Sequence, residues 1–313
     1  MSVQIGYLLP TREQIMEGRT STNPIVDLAK RAESSGLDSV WVGDSIIAKP
    51  RHEPLTLLAA VAAHTHSIRI GTAVLLAVLR NPVLLAHQLA TLDQISAGRL
   101  ILGVGTGSDV PSIRAEFAAV GVPFERRGAR LLETMQLCRA LWTGNPVDWD
   151  GSWTLRGAVV GPTPHSSNGP PIWAGGNVEA VLKRTGIHFD GWFPSAPSQA
   201  SLWAERWSRV RDFAATAGRE AAALTGALYL TLCIDDKTST ADARLDDYLQ
   251  RYYNRDARSI RASQACFAGS LDGAAEWLRG YVEAGATHFA LRFPGDHERN
   301  VERAASLREK IDA

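Results

Sequence analysis

Short apolar runs rich in β-branched and aromatic residues alternate along the chain with longer stretches in which apolar positions recur every three or four residues. The runs VQIGYLL, SVWVG, IRIGTAVL, LILGVG, PPIWA, DGWF, GALYLTLCI and HFALRF read as eight strands. Between them, NPIVDLAKRAESSG, NPVLLAHQLATLDQISAG and ERRGARLLETMQLCRALW have the period of amphipathic helices, several opening on Asn-Pro and closing at a glycine. Such alternation predicts a parallel sheet with helices outside it. Eight units ending in the helix NVERAASLREKID favour a closed (β/α)8 TIM barrel over an open doubly wound sheet. Residues 144–169 predict a small hairpin and residues 235–265 a charged helical insert. No low-complexity linker divides the chain, so both are expected as insertions in one domain spanning 1–313.

The fourth strand carries a peculiarity, LILGVGTGS over residues 100–108. Side chains alternate faces along a strand, so Gly103, Gly105 and Gly107 strip one face to bare backbone. A simple turn would need only one or two glycines. The pattern therefore implies that something approaches that face closely. A dinucleotide fingerprint is not the reason, because Ser108 stands where the third glycine would be and the motif opens the fourth unit rather than the first.

Composition removes whole classes of partner. Lys plus Arg equals Asp plus Glu at 33 each, so no global charge favours nucleic acid, an anionic membrane or acidic partners. Cys138, Cys233 and Cys266 are odd in number and lack a CxxC pair, which suits a reducing cytoplasm and argues against a disulfide frame. The opening MSVQIGYLLP reads as a strand rather than a signal peptide, and the stretch LTLLAAVAA is too short to span a bilayer. No HxxxH or HExxH spacing occurs, so no metal is expected. The expected partners are a small-molecule substrate and a second copy of the chain in a homo-oligomer such as a dimer, and Arg126, Arg127 and Arg130 are expected in ion pairs either on the surface or between subunits.

In a barrel, chemistry sits at the carboxyl ends of the strands. Those ends are rich in glycine and poor in acids and bases, which suits the close approach of a large planar cofactor. In IWAGGNVEAVLKRTG, a strand passes through Gly175 and Gly176 to Asn177 as a candidate N-cap, offering backbone amides and a helix N-terminus to an anion.

The segments RIGTAVLLAVLRNPVLLAHQLATLDQISAGRLILGVGTG, GVPFERRGARLLE, PPIWAGGN and AGSLDGAAEWLRGYVEAGATHFALRF resemble the bacterial luciferase-like monooxygenase superfamily over nearly the whole chain. The resemblance implies a barrel oxidoreductase using FMN or the deazaflavin coenzyme F420. It implies that Ala73, Val74 and Leu75 lie behind the cofactor ring, with a non-prolyl cis peptide at Ala73–Val74. Gly105, Thr106, Gly107 and Ser108 would run along the cofactor, and Ala174, Gly175, Gly176 and Asn177 would hold its phosphate. On this reading the bare face of the fourth strand makes room for the cofactor.

Two departures bear on the reaction. Where similar deazaflavin dehydrogenases read Asp-His after the second strand, this chain has Asp44-Ser45, and where sugar-phosphate-oxidising relatives carry a glutamate after GVGTG it has Ser108. Without that base, deprotonation of an unactivated alcohol is not expected. The expectation is hydride transfer between F420 and a small, mainly apolar substrate, with Asp44 orienting groups and Ser45 or solvent relaying the proton. Leu9, His52, Trp192 and Phe193 are the candidate substrate contacts, whereas His64 and His66, before the third strand, face the opposite end. The alternatives are an FMNH2-dependent monooxygenase on the same fold and a non-catalytic flavin-binding protein.

Overall fold

The computed structural model describes residues 3–195 and 197–312. In chain order the first half runs β1 (Gln4–Leu8), α1 (Thr11–Met16), α2 (Asn23–Ser34), β2 (Ser39–Val42), α3 (Pro54–His64), β3 (Arg69–Leu75), α4 (Pro82–Ile95), β4 (Leu100–Val104), α5 (Pro111–Ala119) and α6 (Arg127–Leu141). An antiparallel hairpin follows, β5 (Val147–Asp150) and β6 (Thr154–Ala158). The second half runs β7 (Ile172–Ala174), α7 (Glu179–His188), β8 (Gly191–Trp192), α8 (Ala200–Thr216), β9 (Thr225–Ile234), α9 (Thr238–Tyr253), α10 (Ala257–Arg261), β10 (Cys266–Gly269), α11 (Leu271–Glu283), β11 (His288–Arg292) and α12 (His297–Asp312).

The strands pair in the order β9-β11-β1-β2-β3-β4-β7-β8, all parallel, and β8 pairs back to β9. The result is a closed eight-stranded α/β TIM barrel. β10 is a ninth strand that pairs with the last four residues of β9, Thr231 to Ile234, beyond the two residues at which β8 pairs with it.

Alternation along the strands sorts side chains into two layers. Outward residues such as Ile5, Tyr7, Val40, Leu102, Val104, Leu228 and Phe289 join the apolar faces of the helices in the main core. Inward residues form a second cluster of Leu8, Trp41, Ile101, Trp173, Phe193, Ala227 and Ala290. Three large rings fill this lumen, with Trp41 centred 4.8 Å from Phe193 and 5.5 Å from Trp173. Glycine makes the room: a Cβ on Gly71 would stand 2.4 Å from the Trp41 ring, and one on Gly191 2.6 Å from Trp173. Beneath the rings, Trp41 Nε1 donates to Ser39 Oγ (2.8 Å), which shares a hydrogen bond with His288 Nε2 (2.8 Å), while His288 Nδ1 meets Gln4 Oε1 (2.9 Å). Burial, aided by Arg69, pushes His288 down to about 3, so this imidazole is neutral. The amino-terminal end of the barrel is thus a packed floor, and function is left to the opposite end.

The chain uses its helix starts as the sequence suggests, with local differences. Asn81 caps α4, its Oδ1 accepting from Val83 N (2.9 Å), but Asn23 is the first helical residue of α2 and Thr22 stands at the cap with no side-chain bond. No helix among the described residues is long and apolar enough to cross a membrane.

Candidate active site

The Ala73–Val74 peptide is cis, and the β3–β4 register slips between Thr72 and Leu75. Ala73 and Val74 turn inward and stay half-buried against the lumen cluster, whereas Leu75 is buried in the outer layer and its carbonyl accepts from Gly105 N (3.0 Å). Val74 sits in a cradle of glycines. A Cβ on Gly105 would come 2.6 Å from Val74 Cγ2, and one on Gly175 3.2 Å from Val74 Cγ1.

The bare face of β4 is therefore filled by the protein itself, which corrects the expectation that a cofactor occupies it. At Gly103 a Cβ would stand 2.1 Å from the Thr72 carbonyl oxygen and 3.0 Å from the Phe193 ring. Gly105 yields to Val74, and Gly107 adopts φ +70°, a left-handed conformation that favours glycine. Thr106 and Gly107 are half-buried and Ser108 is exposed, so the surface left for a ligand is the bulge and this segment beside it.

The turn after β7 also differs in detail. Gly175 N donates to Val104 O (2.8 Å), so it belongs to the sheet and cannot serve an anion. Gly176 has φ +121° and its carbonyl accepts from Trp192 Nε1 (2.8 Å). The residue at the N-cap of α7 is Val178, not Asn177, and no side chain caps that helix. Among the described residues, no protein acceptor takes the N–H of Gly176 or Asn177, and Asn177 Oδ1 is buried without a partner. Ala174 contributes only backbone here, since its side chain faces the outer core.

Asp44 and Ser45 hold loops. The Asp44 carboxylate, its side chain 3% exposed, accepts from Leu76 N (2.9 Å) and from Arg80 Nη1 (2.6 Å) and Nη2 (3.3 Å), which ties the end of β2 to the segment behind the bulge. Ser45 Oγ donates to Glu116 Oε1 (3.0 Å) and accepts from Lys49 N (2.9 Å). Glu116, fully buried on α5, also takes the amides of Ile46 and Ile47. His52 bonds through Nε2 to Thr20 O (3.1 Å).

Two expected substrate contacts point the wrong way. Leu9 is in the outer core, and the inward residue of that strand end is Leu8. Trp192 likewise faces outward, stacked on Trp203 and Trp207 of α8 at 5.6 and 6.5 Å, while Phe193 faces the lumen. One residue along a strand exchanges the faces. Of the basic residues expected at a subunit interface, Arg127 and Arg130 stack on Phe124 (3.9 Å) and Trp153 (4.6 Å) of their own chain.

The sequence reading missed the other side of the mouth. Arg292, fully buried at the end of β11, is ringed by Tyr229, Tyr248, Tyr252 and Tyr253, with its guanidinium 4.7 to 5.4 Å from their ring centres. It donates to Thr231 Oγ1 (3.0 and 2.7 Å), Tyr253 hydroxyl (2.9 Å) and Gln264 Oε1 (3.3 Å). Lys49 Nζ lies 4.3 Å from the Tyr253 ring centre, and Arg12 stacks on Tyr252 at 5.1 Å. Arg51 occupies the space above Gly43, where a Cβ would meet its Nη1 at 2.0 Å and the Ala73 carbonyl oxygen at 3.7 Å, so the guanidinium sits beside the bulge. Burial, and then Arg51, Arg292, Arg12 and Arg255, push the Lys49 ammonium down to about 7. Burial raises the phenols of Tyr229, Tyr248 and Tyr252, which remain protonated. The one local hint in the sequence was the run YLQRYYNR at 248–255.

Known proteins resemble this chain in sequence and in fold. The F420-dependent glucose-6-phosphate dehydrogenase of Nocardia farcinica (strain IFM 10152) is 31% identical over 301 residues, covering 88% of this chain and 89% of that protein. Its counterpart from Mycolicibacterium smegmatis is 31% identical over 303 residues with the same coverage. A solved structure of an F420-dependent secondary alcohol dehydrogenase with an F420-acetone adduct superposes with a TM-score of 0.84 over 99% of both chains at 21% identity, a likeness of fold. The luciferase-like monooxygenase family model matches residues 3–288, and the chain belongs to that family of oxidoreductase enzymes.

Proposed function

We propose that the protein transfers a hydride between coenzyme F420 and a small organic substrate with a mainly apolar body. The observation that carries this reading is the half-buried Ala73–Val74 bulge, cradled by Gly105 and Gly175, beside the unpaired amides of Gly176 and Asn177. A flat ring needs such a backing surface, and its phosphate needs such donors. The orphaned Asn177 Oδ1 fits a hydroxyl-bearing side chain, because a buried acceptor without a donor is costly. Relatives at 31% identity that are named as F420-dependent favour F420 over FMN.

When bound, F420 supplies or accepts the hydride. The chain's own residues do the rest. Ala73 and Val74 would back the ring, Thr106 to Ser108 would run alongside it, and Gly176 and Asn177 would hold the phosphate. Leu8, Phe193 and Val74 provide an apolar wall that excludes water. Asp44, committed to Arg80 and Leu76 N, keeps the bulge in place rather than taking a proton. His288 is neutral and bonded at the floor, and Glu13 is bonded by Tyr248. The set of groups suits delivery of a hydride to an electron-poor substrate rather than oxidation of an unactivated alcohol.

Equilibrium titration with F420 and with FMN tests the reading. F420 should bind at least about tenfold more tightly, and the loaded protein should not consume oxygen. Tighter FMN binding with oxygen-dependent turnover would replace it with the monooxygenase reading.

A further inference from the structure

Four cations converge at one side of the barrel mouth from elements far apart in the chain: Arg12 on α1, Lys49 and Arg51 after β2, and Arg292 at the end of β11. Among the described residues, none of the four has a carboxylate within ion-pair distance. Glu13, the carboxylate in electrostatic range of Arg12 and Arg51, is hydrogen-bonded by Tyr248. We propose that this wall receives an anionic oxygen group, carboxylate or phosphate, carried by the substrate, an inference that rests on the hydride-transfer reading above.

Buried or half-buried charge without a counter-charge is costly, and proteins keep it where a ligand completes it. Tyrosine faces and neutral acceptors satisfy part of the demand of Arg292 but bring no negative charge. Arginine forks match carboxylate and phosphate geometry, and three guanidinium groups with a lysine among them favour an anion over a neutral polar group.

Placement assigns the anion to the substrate rather than to the cofactor. The unpaired amides follow β7, and in the strand order β1-β2-β3-β4-β7-β8-β9-β11 that strand lies across the barrel from β1. The basic wall is centred on β1 and its neighbours β2 and β11. The bulge on β3 lies between the two, with Arg51 beside the Ala73 carbonyl and Tyr229 packed on the same cluster as Ala73 and Val74. An anion held by Arg51, Lys49 and Arg292 therefore lays an attached apolar body over the bulge, where the ring is expected.

The test is calorimetric titration of the protein, unloaded and loaded with F420, with cinnamate, phenyl phosphate and the neutral cinnamamide. At least one anion should bind at least about tenfold more tightly than cinnamamide in both forms, and which one is preferred identifies carboxylate or phosphate. Arg51→Gln should weaken that anion at least about tenfold and leave cinnamamide unchanged. Arg12→Gln, on a separate element, should weaken it in the same direction and serves if Arg51→Gln does not fold. Equal binding of anion and amide, or unaltered anion binding in both variants, would overturn the proposal. So would loss of anion binding on loading together with weaker F420 binding in Arg51→Gln, which would make the wall a cofactor site. Failure of F420 to bind at all sinks the hydride-transfer reading alone, since the unloaded protein still reports on the wall.

Discussion

The two walls of the barrel mouth are built by opposite means. The wall from β3 to β7 is backbone: a cis bulge, glycines that admit Val74 and Phe193, and a turn whose amides lack partners. The wall from β9 through β11 to β2 is side chain, four cations and four tyrosines brought together from residues 12 to 292. A backbone wall is fixed by packing, so disturbing it costs stability. A side-chain wall carries unbalanced charge, so removing part of it costs ligand affinity and little else. Substitutions at the packed positions of the backbone wall should therefore tell mainly on folding, and those in the side-chain wall mainly on binding.

The largest effect should come from Gly103→Ala. Its Cβ would lie 2.1 Å from the Thr72 carbonyl oxygen, a backbone atom that cannot move without shifting β3. Overpacking of this kind costs about 3 kcal/mol, which urea unfolding would register as a lower midpoint at unchanged slope. Arg51→Leu is the contrasting variant. Removing a cation that has no carboxylate within ion-pair distance, and whose Nε donates to Lys49 O (3.1 Å), should leave the midpoint little changed. A large loss of stability in Arg51→Leu would erase the distinction between the walls.

Next comes the latch behind the bulge. Asp44→Asn removes the charge facing Arg80 but keeps an oxygen for Leu76 N, so about 2 kcal/mol of stability should be lost, moderated by the remaining Arg80–Glu53 pair. Hydride transfer should slow about tenfold through misplacement of the bulge, with no new pH dependence. An essential base that vanishes in Asp44→Asn would show that this carboxylate takes a proton after all.

The backbone wall was legible because its constraints are local. Glycines in strand register, a strand followed by Gly175-Gly176 and eight alternating units are all visible within short windows, and they located the barrel, whereas the bulge at Ala73–Val74 was expected only from the family resemblance. What the glycines accommodate was not visible: the partners of Gly103 and Gly105 are Thr72, Phe193 and Val74, which come from other strands. Facing was lost where a strand end had no polar residue to fix the alternation. LeuLeuPro does not say that Leu8 rather than Leu9 turns inward, nor TrpPhe that Phe193 does. Asn177 looked like a cap because Asn is a good one, yet the chain turns into α7 one residue later, at Val178. Arg12, Lys49, Arg51 and Arg292 share no motif at all, and only barrel closure makes them neighbours.

A smaller effect separates the two anion sites. Asn177→Asp leaves the backbone as it is but sets a carboxylate beside the unpaired amides. F420 affinity should fall about tenfold, roughly 1.4 kcal/mol, while cinnamate affinity is unchanged. Fluorescence titration with F420 measures the first and calorimetry the second. Equal losses would mean that the two walls hold one and the same anion.

The smallest effect is a pH dependence confined to the side-chain wall. Burial and the charges of Arg51, Arg292, Arg12 and Arg255 hold Lys49 down at about 7, its ammonium 4.3 Å from the Tyr253 ring centre, while guanidinium groups stay protonated throughout. An anion favours the protonated ammonium, so its affinity is complete below about pH 7 and falls as the pH rises through that value. With the arginines still charged, the loss should be only about threefold between about pH 6 and pH 8. In the unliganded protein the sign reverses. The folded value lies below the usual lysine value of 10.5, so the unfolded chain binds more protons in that interval and stability rises as pH increases from about 7 toward 10.5. Lys49→Met should flatten both profiles and leave F420 binding, which rests on backbone amides, without a step. A cinnamate profile that is flat in the parent protein, or one that keeps its step in Lys49→Met, would remove Lys49 from the wall.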